Sequence, residues 1–109
     1  MKLQIAYDVG TYQDLVILIN KIQDLIDIIE IGTPVILREG LEKISYIKKQ
    51  FPNKKIIADM KIMDAGEIEA DIGFDSGADI VSVLGLASRN TLLGVKASAC
   101  KKIKELWLI

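Results

Sequence analysis

The feature that most constrains this chain is a repeat. Apolar, strand-like runs begin near residues 3, 27, 55, 79 and 106, a spacing of roughly 26 residues, and a stretch of helical periodicity follows each of the first four. One βα unit cannot bury both of its own faces, so successive units with right-handed crossovers stack into a parallel sheet. Two architectures meet that description, an open doubly wound sheet and part of a (βα)8 barrel. Repeat order alone leaves both open.

Residues 2–7 read as the first strand, and Thr11 with Asp14 forms a capping box for a helix over 12–25, striped by Leu15, Leu18, Ile19, Ile22 and Leu25. A strand over 27–31 ends at Gly32-Thr33-Pro34, and a helix over 39–50 presents Leu41, Ile44 and Ile47 before Pro52 stops it. The strand from residue 55 leads to a short helix from about Glu67, carrying Ile68, Ile72 and Phe74 and ending at Ser76-Gly77. A strand over 79–84, a helix over 90–104 and the start of a fifth strand at Leu106–Ile109 complete the pattern. No linker, low-complexity segment or charge block interrupts it, so residues 1–109 read as a single domain.

Composition sharpens this. Half of the residues are hydrophobic and only 6% aromatic, an aliphatic bias that suits strands buried on both faces by helices. A formal charge of −1, with both signs spread along the chain, gives no electrostatic footprint for nucleic acid or an anionic membrane. No apolar run approaches the length of a membrane span, and residues 1–6 begin a strand without the features of a signal peptide. The lone Cys100 cannot form an internal disulfide and reads as helix packing, so the expected setting is reducing and cytoplasmic. Histidine is absent, which leaves carboxylates and lysines to perform any acid–base or metal chemistry.

Those groups are not scattered at random. Asp59, Lys61 and Asp64 form a D-x-K-x-x-D pattern in which period-2 alternation places Asp59 and Lys61 on one face, with Ile56, Ala58 and Met60 on the other. Asp64 falls in the following loop, next to the turn at Gly66. Asp8, Glu30, Asp59 and Lys61 all sit at C-terminal strand ends, where both α/β architectures hold their ligands. Several carboxylates and one lysine at a shared mouth suit Mg²⁺, with Glu30 and Asp59 as the best ligand candidates. Lys61 would place positive charge on an enediolate oxygen, while Asp8 and Asp64 would orient substrate hydroxyls and keep the lysine charged. The structural alternative is a salt-bridged strand end, with Asp8 capping a turn, Glu30 paired to a lysine and Asp64 a solvated loop acid.

The wording of these segments resembles the hexulose-6-phosphate synthases, within a wider orotidine-monophosphate-decarboxylase-like group that includes 3-keto-L-gulonate-6-phosphate decarboxylases. The resemblance runs through Gln4-Ile-Ala-Tyr-Asp, Asp27-Ile-Ile-Glu-Ile-Gly-Thr-Pro, Glu39-Gly-Leu, Ala58-Asp-Met-Lys-Ile-Met-Asp-Ala-Gly and Gly77-Ala-Asp-Ile-Val-Ser-Val-Leu-Gly. It implies a lyase of the ribulose monophosphate pathway, condensing formaldehyde with D-ribulose 5-phosphate in an Mg²⁺-dependent aldol reaction. It also implies metal binding by Glu30 and Asp59, catalytic and substrate contacts by Lys61, Asp64 and Asp8, and a homodimer in which Asp64 reaches the partner's site. The decarboxylase shares every one of these residues and is the alternative reaction.

The resemblance implies a full (βα)8 barrel of about twice this length. The 109 residues therefore read as a parallel (βα)4 N-terminal half of a TIM barrel with the start of a fifth strand. Phosphate-gripping loops after strands 7 and 8 would be missing. The expectation is a truncated chain, or half barrels that pair, with little or no activity alone. Two readings from other classes are a non-catalytic half-barrel interaction module and a phosphoacceptor receiver-like domain. The lone acid at Asp8 and the position of Lys61 argue against the second.

Overall fold

The structure is a computed structural model that describes residues 1–109. Five strands, β1 (Gln4–Tyr7), β2 (Ile28–Ile31), β3 (Lys55–Ile62), β4 (Ile80–Val83) and β5 (Glu105–Leu108), form one parallel sheet in the order β1-β2-β3-β4-β5. Each crossover moves one place in the same direction, so every connecting helix falls on the same face. A doubly wound sheet reverses direction at a switch point, and this one does not. The strand order therefore selects the barrel half over the open sheet and excludes the receiver-like arrangement.

Alternation along the strands explains the two faces. Ile29, Ile31, Ile56, Ala58, Ile62, Val81 and Val83 point toward the helices and join one apolar core with Leu15, Ile19, Val35, Ile44, Ile47, Phe74 and Val95. The opposite face holds a smaller cluster of Ile28, Ile57 and Ile80, with Trp107 packed against it. Helices thus cover one face of the sheet rather than the two that the aliphatic composition suggests. In this topology the second face is the barrel interior.

The helices are α1 (Tyr12–Ile22), α2 (Thr33–Glu39), α3 (Ile44–Gln50), α4 (Gly66–Asp75) and α5 (Arg89–Lys102). Thr11 caps α1 in a reciprocal capping box with Asp14, as its spacing predicts. Helix α1 stops at Ile22, three residues before the predicted end, and Leu25 is exposed. The predicted 39–50 helix is shortened to α3, and a separate helix, α2, occupies residues before it that read as a strand end. Pro34 is tolerated in the first turn of α2, where its missing N–H has no intrahelical partner, and Gly40 at φ 81° then breaks the chain before α3. Helix α4 buries Gly66, Ala70, Gly73 and Phe74, whereas Ile68 and Ile72 face outward. Its small residues let it lie close to its neighbours: a β-carbon on Gly66 would overlap the Thr91 carbonyl of α5, and one on Gly94 would lie 2.8 Å from the Glu67 nitrogen. Cys100 is exposed on α5 rather than packed.

At the N-terminal end of the sheet, Asp79 accepts from Lys48 Nζ (2.7 Å), Lys104 Nζ (3.1 Å) and the Ile56 amide (2.9 Å). This ties α3, β3 and the entry to β5 together. No helix is long and apolar enough to cross a membrane.

Candidate active site

At the C-terminal end of the sheet the charged residues share the inner face. The β3–β4 register explains how. Between the pairs Ala58↔Val81 and Ile62↔Val83, β3 takes four steps where β4 takes two, so β3 bulges. Because the surplus is even, side-chain parity survives: Ile62 returns to the helix-facing core, and Asp59 and Lys61 stay on the inner face. The bulge puts Lys61 in the left-handed region at φ 51°, unfavourable for a residue with a β-carbon.

Asp59 is 5% exposed. Its Oδ1 accepts from Ser82 Oγ at 2.7 Å, and its Oδ2 is paired with the Lys61 ammonium and accepts from Thr33 Oγ1 at 3.1 Å. Thr33 Oγ1 also lies 2.6 Å from the Asp59 carbonyl oxygen and accepts from Lys61 Nζ at 2.9 Å. Burial pushes the Asp59 carboxyl up, but donation from Lys61, Ser82 and Thr33 outweighs it and holds the group below the usual carboxylate range. Asp59 is therefore ionised at neutral pH, with Lys61, roughly half exposed, reaching from it toward the mouth.

Glu30 stands on the same face and accepts a hydrogen bond from the Gln4 side-chain amide. Burial raises its pKa first and the charge of Asp59 second; Asp8 adds to the rise, while Gln4 and Lys61 oppose it. Asp8 follows β1 and is exposed, with its carboxylate lying across the Cα of Gly32. A β-carbon on Gly32 would meet Asp8 Oδ1 and stand 2.8 Å from the backbone carbonyl oxygen of Tyr7, which cannot rotate away, so glycine suits the close approach of the two strand ends. Asp8, Glu30, Asp59 and Lys61 thus interact electrostatically at one mouth.

Asp64 stands apart. It is exposed in the β3–α4 loop, no hydrogen bond or ion pair joins it to Asp59 or Lys61, and its carboxyl instead neighbours Glu69, whose pKa burial raises first and Asp64 second. Three residues at the site have no role in the sequence reading above. Thr33 lies inside the Ile-Gly-Thr-Pro segment, treated there only as a strand end. Ser82 is the one hydroxyl in an apolar strand, and its parity with Ile80 marks it as inward-facing. Gln4 has the same parity as Glu30 across the register, since Ala6 pairs with Glu30.

The donors at this mouth are all hard oxygens. No three or more His, Cys, Asp or Glu side chains are gathered as a ready-made metal cage. Two carboxylates nonetheless suffice for Mg²⁺, which completes its shell with water and substrate oxygens. Burial first, and the charges of Asp59 and Asp8 after it, raise Glu30, and a divalent cation held here would offset the repulsion among these carboxylates.

Comparison with known proteins fits this geometry. Residues 1–109 match the orotidine 5'-phosphate decarboxylase / HUMPS family throughout. The chain is 50% identical over 99 residues to the 3-hexulose-6-phosphate synthase of Mycobacterium gastri, covering 91% of this chain and 48% of that one. It superposes on the crystal structure of 3-hexulose-6-phosphate synthase from Salmonella typhimurium with a TM-score of 0.96 at 41% identity, covering 99% of this chain and 51% of that one. Against 3-keto-L-gulonate-6-phosphate decarboxylase from Vibrio cholerae the TM-score is 0.94 at 30% identity, covering 98% and 50%. The chain spans about half the length of these relatives, and its five strands are the corresponding part of their TIM barrels. On sequence, strand order and fold together, the chain belongs to the orotidine 5'-phosphate decarboxylase / HUMPS family.

Proposed function

We propose that these residues form the acid-and-lysine half of a 3-hexulose-6-phosphate synthase site, acting on ribulose 5-phosphate and formaldehyde. One observation carries the reading: a buried, ionised Asp59 holds the Lys61 ammonium at the strand mouth beside Glu30 and Asp8. In the aldol reaction a proton leaves C1 of the ketose phosphate and an enediolate forms. Its carbon makes a bond to formaldehyde, and the formaldehyde oxygen takes up a proton. Lys61 supplies positive charge where the enediolate oxygen becomes negative, and Asp59 holds and aims that ammonium. Asp8, exposed at the end of β1, accepts from substrate hydroxyls. Glu30 and Asp59 would hold Mg²⁺, which polarises the ketone when bound. Asp64, which makes no hydrogen bond or ion pair with these groups within one chain, is assigned to the site of a second copy in a homodimer.

The test is product analysis with the protein isolated from its source. Ribulose 5-phosphate, formaldehyde and Mg²⁺ should yield a hexulose 6-phosphate, chelation should abolish turnover, and Lys61→Ala should lower kcat by at least about 10²-fold. The likeness to the Vibrio cholerae enzyme supports a second reading, decarboxylation of 3-keto-L-gulonate 6-phosphate on the same acids. Carbon dioxide release from that substrate, without aldol product, would establish the second reading and remove the first.

A further inference from the structure

We propose that Ser82 is a positioning residue that sets the Lys61–Asp59 pair, by joining the bulged backbone of Lys61 to the carboxylate of Asp59 through a single hydroxyl. The hydroxyl makes two bonds in opposite senses. It accepts from the Lys61 amide at 2.9 Å and donates to Asp59 Oδ1 at 2.7 Å. Ser82 is 3% exposed, so water does not stand in for either bond.

The Lys61 amide belongs to the widened stretch of β3, where the ladder to β4 lapses between Ala58↔Val81 and Ile62↔Val83. An N–H there has lost its backbone acceptor across the sheet. Ser82 supplies one from the strand that should have provided it. That bond holds Lys61 at φ 51°, and this conformation starts its side chain from the inner face toward Asp59 and Thr33. The second bond occupies Oδ1 of Asp59 and leaves Oδ2 to Lys61 and Thr33. One hydroxyl therefore specifies both the backbone that aims the lysine and the rotation of the carboxylate that receives it. Alanine at this position would leave a buried donor and a buried carboxylate oxygen without partners. Thr33 does not duplicate the function, because it contacts the side-chain ends and the Asp59 carbonyl but not the Lys61 amide.

The link to turnover rests on the reading of Lys61 and Asp59 given above; the positioning itself is measured without turnover. Amide hydrogen exchange is followed by NMR on the unmutated protein, Ser82→Ala and Ser82→Thr. In the unmutated protein the Lys61 amide should exchange with core-like protection, far more slowly than the exposed-loop amide of Asp64. In S82A its exchange should accelerate at least about tenfold while Val81 and Val83 keep their rates, and S82T should restore protection, since it retains the hydroxyl. S82A should also lower kcat at least tenfold with KM little changed, and S82T should recover most of it. Loop-like exchange of Lys61 in the unmutated protein overturns the proposal even if S82A cannot be folded. An equal acceleration at Lys61, Val81 and Val83, or an unchanged kcat in a folded S82A, overturns it as well. Absence of turnover in the unmutated protein counts against the reaction assigned above, and the exchange measurements then decide the positioning role alone.

Discussion

Gly66→Ala places the tightest joint of the fold under a defined load. Gly66 opens α4 directly after the left-handed Ala65, and its Cα faces the backbone of Thr91 on α5. An added β-carbon would overlap the Thr91 carbonyl oxygen and stand 2.9 Å from its carbon and 3.1 Å from its Cα. These are backbone atoms, so no side-chain rotation relieves the overlap and the two helices must part by about 1 Å. Overpacking of this kind costs about 1–3 kcal/mol, and a backbone obstacle belongs at the upper end. Against it stands the helix preference of Ala over Gly, at most about 1 kcal/mol and less in a first turn. The net expectation is a loss of about 2 kcal/mol. For a chain of this size unfolding in urea with a slope of about 1.5 kcal/mol/M, the midpoint should fall by about 1.3 M with the slope unchanged. Gly85→Ala is the control, since a β-carbon there meets nothing closer than 3.5 Å and its backbone is not left-handed. A G66A midpoint within about 0.3 M of the parent, or above it, would refute the claim that this glycine sets the α4–α5 approach.

Two titrations give further tests. Burial raises the Asp79 carboxyl, but Lys48, the Ile56 amide and Lys104 together hold it below its ordinary value. A depressed acid contributes stability above the ordinary carboxylate range and loses it as pH falls through the depressed value. Asp79→Asn should therefore cost about 1–2 kcal/mol at pH 7, discounted because the side chain is one-fifth exposed, with the gap to the parent closing below about pH 4 in thermal melts. Glu30 has the opposite sign. Its pKa is raised, by burial first and Asp59 second, so the folded chain loses stability as pH climbs from the ordinary glutamate value through the raised one. Glu30→Gln should melt higher than the parent at pH 7 in metal-free buffer, converging with it below about pH 4, and should lose the stabilisation that added Mg²⁺ gives the parent. A parent and E30Q pair with parallel melting curves across that range would remove Glu30 from the acidic mouth.

The errors in reading this fold from sequence were local and share a cause. Gly32-Thr33-Pro34 reads as a strand end with the next helix starting only at Glu39, yet proline in a first turn costs nothing, and α2 begins at Thr33. Ile68 and Ile72 read as apolar residues of a short helix, but α4 lies so close to its neighbours that its core positions go to Gly66, Ala70 and Gly73. Apolarity signals burial only where the helix stands at ordinary distance. Ser82 was hidden for a related reason, since one hydroxyl in an apolar strand acquires meaning only when the neighbouring strand's bulge leaves it an N–H to accept from.

The sequence by itself determined the βα repeat, the capping at Thr11 and the shared face of Asp59 and Lys61, because periodicity and turn chemistry are properties of neighbouring residues. It also placed Asp8 and Glu30 at strand ends. Only the tertiary structure decided that the sheet runs in sequential order with helices on one face, since strand order depends on which edges pair across long separations. It alone decided that a two-residue surplus in β3 would turn the Lys61 backbone left-handed, and that Ser82 and Thr33 would hold the buried Asp59 beside it. Those bonds join residues 21 to 28 positions apart, and no local pattern encodes a partner at that distance.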